Sequence, residues 1–487
     1  MAWLALPVRR PRGIEIPDEA WPVAGLLAAV ALACAALAGH PALLLLAAAG
    51  ALGAGIALYE PRAIGPMLAL ALPLEITKLA FPFLTTRAEL GGGVGPTSIV
   101  DAGRLVVALA AAVWLVRPQR PRADVLPRSP LVLPLALLLA LYALSTLWAV
   151  DLRAARIESL RLVASLATFA LVPFFVRDRA TLRWTLLALV ATMAALAVLG
   201  VYQEATGRFF WNSGLGLYGE RRINTTFADP NHFARFLLEG IVAALVLWFY
   251  VRRRTKFALL LPAMGLAVLT LEFTGSRGAW LVGLATLPAT VALLPIGRAL
   301  RLRMLAMGLA LLAVVALVLA ASNPYFSKRV DTFRFGFEAA GARPYLVKAG
   351  LRMFADHPVA GVGAGGYQRA FEDDYYRYKD PKIKANTTIS HTSLVTVAAE
   401  LGVAGLAVLV FLAWRWAAYV RDVMRAADAE MRAYALGLAM MTLIIFLGSQ
   451  TEGRFLEDPY LWLAAGLVVA ADAALAGEAP PELEPLP

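Results

Sequence analysis

The sequence predicts an all-α, polytopic membrane protein: a transmembrane helical bundle of about 12–14 spans with one large, partly helical loop. Three observations carry this. Of the 487 residues, 60% are hydrophobic and 16% charged, whereas a soluble globular chain sits nearer half and a quarter. Apolar runs of roughly 20 residues follow one another along the whole chain, each long enough to cross a bilayer. The short connections between them alternate between arginine-rich and arginine-poor, as cytoplasmic and external loops do. The formal net charge of +11 therefore reflects positive loops and implies no nucleic-acid partner.

Taken in order, residues 1–20 form a cytoplasmic N-terminus. Its Arg9, Arg10 and Arg12 precede an apolar run, and no small-residue cleavage site follows, so the run reads as an uncleaved anchor. Spans are expected at 22–39, 42–59, 63–84, 100–116, 131–150, 157–176, 182–202, 232–251, 257–273, 278–295 and 300–321, which together make up a first block, 21–321. Three last spans, 392–419, 431–448 and 460–476, fill 392–476, and a polar, proline-rich tail at 477–487 is expected to be disordered. The first two spans are short and suit a hairpin around His40 and Pro41. Cys34 lies in an apolar run and is the single cysteine, so an internal disulfide is excluded.

With the N-terminus inside, the inner loops carry Arg117, Arg120, Arg122 and Arg128, then Arg177, Arg179 and Arg183, then Arg252–Arg254 and Lys256, then Arg298, Arg301 and Arg303, and finally Arg421, Arg425 and Arg432. The intervening loops, such as 85–99, are almost free of lysine and arginine. This puts the stretch 322–391 outside. It is about seventy residues long, far beyond an ordinary connection, and is rich in arginine, aspartate, tyrosine and glycine, so it reads as folded and functional. Residues 343–354 have helical spacing and suit a helix lying on the membrane surface. Gly361, Gly363, Gly365 and Gly366 suggest backbone freedom, hence a mobile cover over a pocket.

Three polar clusters lie at outer span ends. In Arg221-Arg222-Ile-Asn-Thr-Thr-Phe-Ala-Asp229-Pro230-Asn231, proline suits the first turn of a helix and Asp229 its N-cap. Such a helix start attracts anions and Arg222 is near it; equally, the segment is only a helix start with arginines reaching to headgroups. In Thr274-Gly275-Ser276-Arg277-Gly278, a very short turn brings Arg277 near membrane depth, where an arginine faces a cavity, a partner or a headgroup. In Ser390-His391-Thr392, an imidazole able to accept a proton at neutral pH stands at the return of the loop, as a base or as a hydrogen-bonded structural residue. Two arginines and a histidine on one face suit an anionic substrate and a hydroxyl nucleophile. No nucleotide-binding motif is present. Glu372, Asp373 and Asp374 are consecutive and cannot all converge on one ion, so no metal and no cofactor is expected. Tyr375, Tyr376 and Tyr378 suit stacking on sugars or seating at headgroup level.

The segments RINTTFADPNHFARFL, TGSRGAWL, HPVAGVGAGGY and SHTSLVTVAAELGVAGL, in that order, resemble the O-antigen ligase and O-antigen polymerase family of bacterial envelope glycosyltransferases. The resemblance covers roughly residues 220–410. It implies a GT-C-like bundle in the bacterial inner membrane, with the active site on the periplasmic side. It implies inverting, metal-independent transfer of a glycan from an undecaprenyl-diphosphate carrier to a sugar hydroxyl of lipid A-core. It further implies that Arg222 and Arg277 bind the diphosphate and that His391 is the base. Arg221, Asp229, Asn231, Ser276 and Tyr367 are the supporting candidates. Polymerase action on lipid-linked repeats, protein O-glycosylation and transport of the lipid-linked glycan are the alternatives. The family pattern has about twelve spans, and the expected N-terminal pair departs from it.

Overall fold

The structure is a computed structural model that describes residues 41–75, 101–116, 129–209, 222–322, 343–378, 390–453 and 455–478. Among these residues every regular element is helical, and the protein is an all-α polytopic membrane protein. Seven of the helices are long and apolar enough to cross a membrane, and four further apolar helices are shorter. The expected first span, the 85–99 loop, Arg221, the loop portions 323–342 and 379–389 and the last nine residues lie outside the described residues.

The helices in chain order are α1 (Pro41–Tyr59), α2 (Ile64–Ala71), α3 (Ala102–Val116), α4 (Val132–Ser145), α5 (Leu152–Phe175), α6 (Arg179–Thr206), α7 (Pro230–Leu247), α8 (Leu261–Phe273), α9 (Arg277–Leu293), α10 (Arg298–Ser322), α11 (Arg343–Asp356), α12 (Tyr367–Asp373), α13 (Ser393–Ala426), α14 (Ala429–Glu452) and α15 (Pro459–Glu478). Side-chain oxygens fix many of the starts. Asp151, Asp178, Asp229, Ser276 and Asp428 each accept a backbone N–H in the first turn of the following helix, donors that would otherwise stay unpaired. Three expectations shift. The span expected at 63–84 is helical only over α2, which ends at Ala71 ahead of Pro73 within the described residues. The span expected at 131–150 stops at Ser145, because Val150 donates its N–H to the Val362 carbonyl and Asp151 opens α5. The polar tail begins later than 477, since α15 continues to Glu478.

Helix α7 is the axis of the bundle and is almost wholly buried, packed by α6, α8, α9 and α14. The close approach of α6 to α7 needs Gly240, where an added Cβ would lie 2.3 Å from the Met193 sulfur. Helix α15 packs along α5, and α2 along α6, to complete one continuous apolar core.

A second, smaller core forms where the long loop docks on α13. Leu346, Met353, Val362, Tyr367, Phe371 and Tyr375 pack with Ala399 of α13. The docking is backbone to backbone. Helix α13 breaks at Gly402, whose φ of +63° only glycine adopts cheaply. The break frees two carbonyls and two N–H groups, and the loop takes all four. Val362 N–H donates to Ala399 O (3.0 Å) and Gly363 N–H to Glu400 O (2.9 Å), while Val403 N–H donates to Pro358 O (2.8 Å) and Ala404 N–H to Val359 O (3.2 Å). The Glu400 carboxylate also accepts the N–H groups of Gly365 and Tyr367 at the start of α12. The expected conformational freedom of the loop glycines is used in place, since Gly361, Gly363 and Gly365 hold positive φ, and it serves close packing. A Cβ on Gly361 would lie 2.3 Å from the Glu400 carbonyl carbon, and one on Gly363 2.4 Å from the Ala149 Cα. These glycines permit close approach, and the described half of the loop is clasped to α13 and to the turn after α4.

Candidate active site

The starts of α7, α9 and α13 meet around the last turn of α14. At α7, Asp229 caps the helix, Pro230 occupies its first turn and the Asn231 amide donates to the Asp229 carboxylate (2.9 Å). Arg222 ties this start to its neighbour. Its Nε donates to the Thr274 carbonyl and its Nη2 to Asn231 Oδ1, both at 2.7 Å. The turn Thr274–Ser276 is as short as expected, with Gly275 at φ +63° and Ser276 capping α9, so that Arg277 opens the helix. Gly278 passes against Thr451 of α14, where a Cβ would meet the hydroxyl oxygen at 2.5 Å.

At α13, the buried Ser390 hydroxyl accepts the Thr392 N–H (3.1 Å) and lies 2.9 Å from the Thr396 hydroxyl. Thr392 Oγ1 donates to the Gln450 carbonyl, the Gln450 amide donates to Ser393 Oγ (2.6 Å), and Ser393 and Ser449 share a hydrogen bond. His391 is thus fixed on both sides. Its own backbone is left-handed, φ +58°, a conformation that a non-glycine residue holds at a cost and that clusters at functional sites.

Electrostatics shows which groups share the space. Burial pushes the Asp229 carboxyl up, but His232, Arg222, the Asn231 amide and His391 outweigh it and hold its pKa below the usual carboxylate value. Burial, and then the Arg277 guanidinium, push the pKa of Arg343 down, against the pull of Asp229 and Glu452. Arg222, Asp229, Asn231, Ser276, Arg277 and His391 are therefore gathered at one end of the bundle. Arg343, which the sequence reading took only as the start of a surface helix, joins them from the loop. Among the described residues it forms no hydrogen bond and no ion pair.

Below this mouth lies a network that sequence reasoning missed. Arg235, only 4% exposed, holds Glu452 at 2.7 Å and also pairs with Asp458. Glu239 lies 3.9 Å from Arg235, and His232 Nε2 3.9 Å from Glu452. A polar cavity lined by His232, Arg235, Glu239, Asp458 and Tyr460 runs beside it. The available signal was two charges, Arg235 and Glu239, inside an otherwise apolar span, where a charge is expensive and needs a partner.

Tyr367 does not join the site. It is 0% exposed in the loop core and its hydroxyl donates to the Leu346 carbonyl (2.5 Å). The acidic run also disperses: Glu372 accepts from Gln368 and Asp373 pairs with Arg369.

Residues 262–410 match the model of the O-antigen ligase family, which supports membership in that family. The match runs from α8 to the first half of α13 and so contains Arg277, Arg343 and His391, while Arg222 lies before it. No curated protein matches the chain.

Proposed function

Taking the chain as a member of the O-antigen ligase family, we propose that it transfers a glycan from undecaprenyl diphosphate to a sugar hydroxyl of lipid A-core. The observation that supports this reading is that the helix starts carrying Asp229, Arg277 and His391 converge on the last turn of α14, with Arg343 near enough to Arg277 and Asp229 to feel their charges. The polar mouth faces the periplasm in this proposal. Arg179 and Arg183 pair with Asp428 and Glu430 at the opposite end, where Tyr250 also bonds to Ala429. That end carries the arginine-rich loops expected inside.

In the proposed reaction Arg277 and Arg343 bind the donor diphosphate. A guanidinium keeps its charge in a poorly solvated site and matches phosphate oxygens as a fork. Arg222 contributes by holding the α7 and α9 starts together, since its Nε and Nη2 are already engaged. His391 accepts the proton of the acceptor hydroxyl as that oxygen attacks the anomeric carbon. The bond from that carbon to the phosphate oxygen breaks, undecaprenyl diphosphate leaves with the electron pair, and the arginines stabilise its charge. Attack opposite to the leaving group inverts the anomeric centre. A positioned base contributes roughly a hundred- to ten-thousandfold.

The test is transfer by purified protein in detergent, with polyprenyl-diphosphate-linked glycan as donor and lipid A-core as acceptor. The wild type is expected to transfer, and His391→Gln to bind donor but lose turnover. Activity in detergent excludes transport, which needs a sealed bilayer. Absence of transfer to lipid A-core, with joining of lipid-linked repeats instead, replaces the ligase by the polymerase reading. A His391→Gln variant with most of the wild-type rate removes the base assignment.

A further inference from the structure

At the end of α13 and α14 farthest from His391, the two helices leave an open groove lined by Trp416, Ala417, Val420, Met424 and Ala439. Residues 417, 420, 421, 424 and 425 recur at helical spacing, so Arg421 and Arg425 stand on the α13 face that borders the groove. Arg432 of α14 closes the third side. Helix α13 runs from Ser393, next to His391, to Ala426 beside the groove, so this groove and the proposed donor site lie at opposite ends of the bundle.

We propose that the groove binds an anionic phospholipid, with the phosphodiester among Arg421, Arg425 and Arg432 and an acyl chain in the trough between α13 and α14. The rim is unbalanced in charge. At the same end Arg179 pairs with Asp428 and Arg183 with Glu430, and neither carboxylate reaches this rim. Arg425 has no ion pair or hydrogen bond among the described residues, and the exposed Arg421 meets only Asp422. Arg432 spends its Nε and Nη2 on the Met424 and Ala427 carbonyls, which fixes the corner between the helices and sets its guanidinium at the groove. The floor is hydrocarbon and two of its residues are alanines, which leaves room for a chain rather than a side chain. Both helices are long and apolar enough to span a membrane, so the groove opens where lipid is the neighbour. Basic pockets between spans on the inner side suit anionic headgroups, and Trp416 suits headgroup depth.

The experiment is native mass spectrometry of the full chain released from vesicles of equal phosphatidylglycerol and phosphatidylcholine. Wild type is expected to retain phosphatidylglycerol selectively. The pair Arg421→Gln and Arg425→Gln is expected to lose about 25-fold in that preference, roughly fivefold per arginine near a membrane surface. A control pair on another inner loop, Arg252→Gln and Arg253→Gln, is expected to keep it. Ala417→Trp fills the trough while all three arginines remain, and is expected to lose retention as well. Absence of a preference in wild type overturns the proposal and leaves an acidic peptide as the occupant to seek. Unchanged preference in the Arg421/Arg425 pair, or loss in the control pair to the same extent, shows general attraction to a charged surface and overturns it too. Retention by Ala417→Trp removes the groove even if the arginines matter.

Discussion

Arg235 and Arg343 are both shielded guanidinium groups, and both feel Glu452, yet they live under opposite conditions. Arg235 is enclosed by Glu452 and Asp458 with Glu239 nearby. Arg343 feels a second guanidinium, Arg277, more strongly than it feels the carboxylates of Asp229 and Glu452. The first cation is satisfied by the fold and holds α7, α14 and the start of α15 together. The second is brought close to a like charge, which a fold does not do for its own stability. In the proposed reading the difference separates scaffold from site: charge neutralised within the protein positions the helices, and the guanidinium without a carboxylate partner is the one assigned to the donor.

The largest expected effect tests the scaffold half. Arg235→Ala leaves Glu452 and Asp458 buried without their cation, and removing one partner from a buried network costs about 3–5 kcal/mol. Thermal unfolding in detergent is expected to show this loss whether or not donor is present. A loss under about 1 kcal/mol would mean that the network is dispensable.

The site half makes the reverse prediction. Arg343→Ala and Arg277→Ala are each expected to slow transfer by about a hundredfold or more. Arg343→Gln is expected to leave ligand-free stability unchanged or raised, because it removes repulsion from Arg277. The measurement is transfer rate beside melting temperature without donor. A clear fall in ligand-free stability would make Arg343 a second Arg235 and erase the distinction.

Gly402→Ala is expected to loosen the loop from α13. Its Cβ would lie 2.4 Å from the Val359 carbonyl carbon, and overpacking of this kind costs about 1–3 kcal/mol. Limited proteolysis of 343–378 reads the effect directly, and an unaltered cleavage pattern counts against the clasp.

The smallest effect concerns Asp229. Its folded pKa lies below the ordinary value, so its contribution to stability is present above the unfolded pKa of about 3.9 and is lost as pH falls through the folded value. Wild type is expected to lose stability below about pH 4 more steeply than Asp229→Asn. Parallel melting curves across that range would show that Asp229 is not held by the surrounding cations.

Much of this architecture is local and so was legible. The caps at Asp229 and Ser276, proline in the first turn of α7, the short Thr274–Ser276 turn and the 343–354 helix each follow from a few neighbouring residues. What escaped depends on distance along the chain. Arg235 finds Glu452 and Asp458 more than two hundred positions away, and nothing near Arg343 in sequence says that Arg277 stands beside it. The glycines escaped for another reason. Gly361 and Gly363 carry the same composition whether they serve freedom or close approach, and only the backbone facing them decides. Gly402 lay in plain view within a quoted segment, but a lone glycine in an apolar helix does not announce a break.

The clasp between the loop and α13 has a consequence for biogenesis. Its partners, Pro358–Gly363 and Ala399–Ala404, lie about forty positions apart, and such near pairings form early. The bonds that anchor the same turn to the rest of the bundle, Trp148 Nε1 to Ala360 O and Ala364 N–H to Ser145 Oγ, join residues 212 and 219 positions apart. The loop and the first half of α13 can therefore become one unit soon after both leave the ribosome. Docking onto the end of α4 closes a far longer stretch of chain and is expected to follow the clasp.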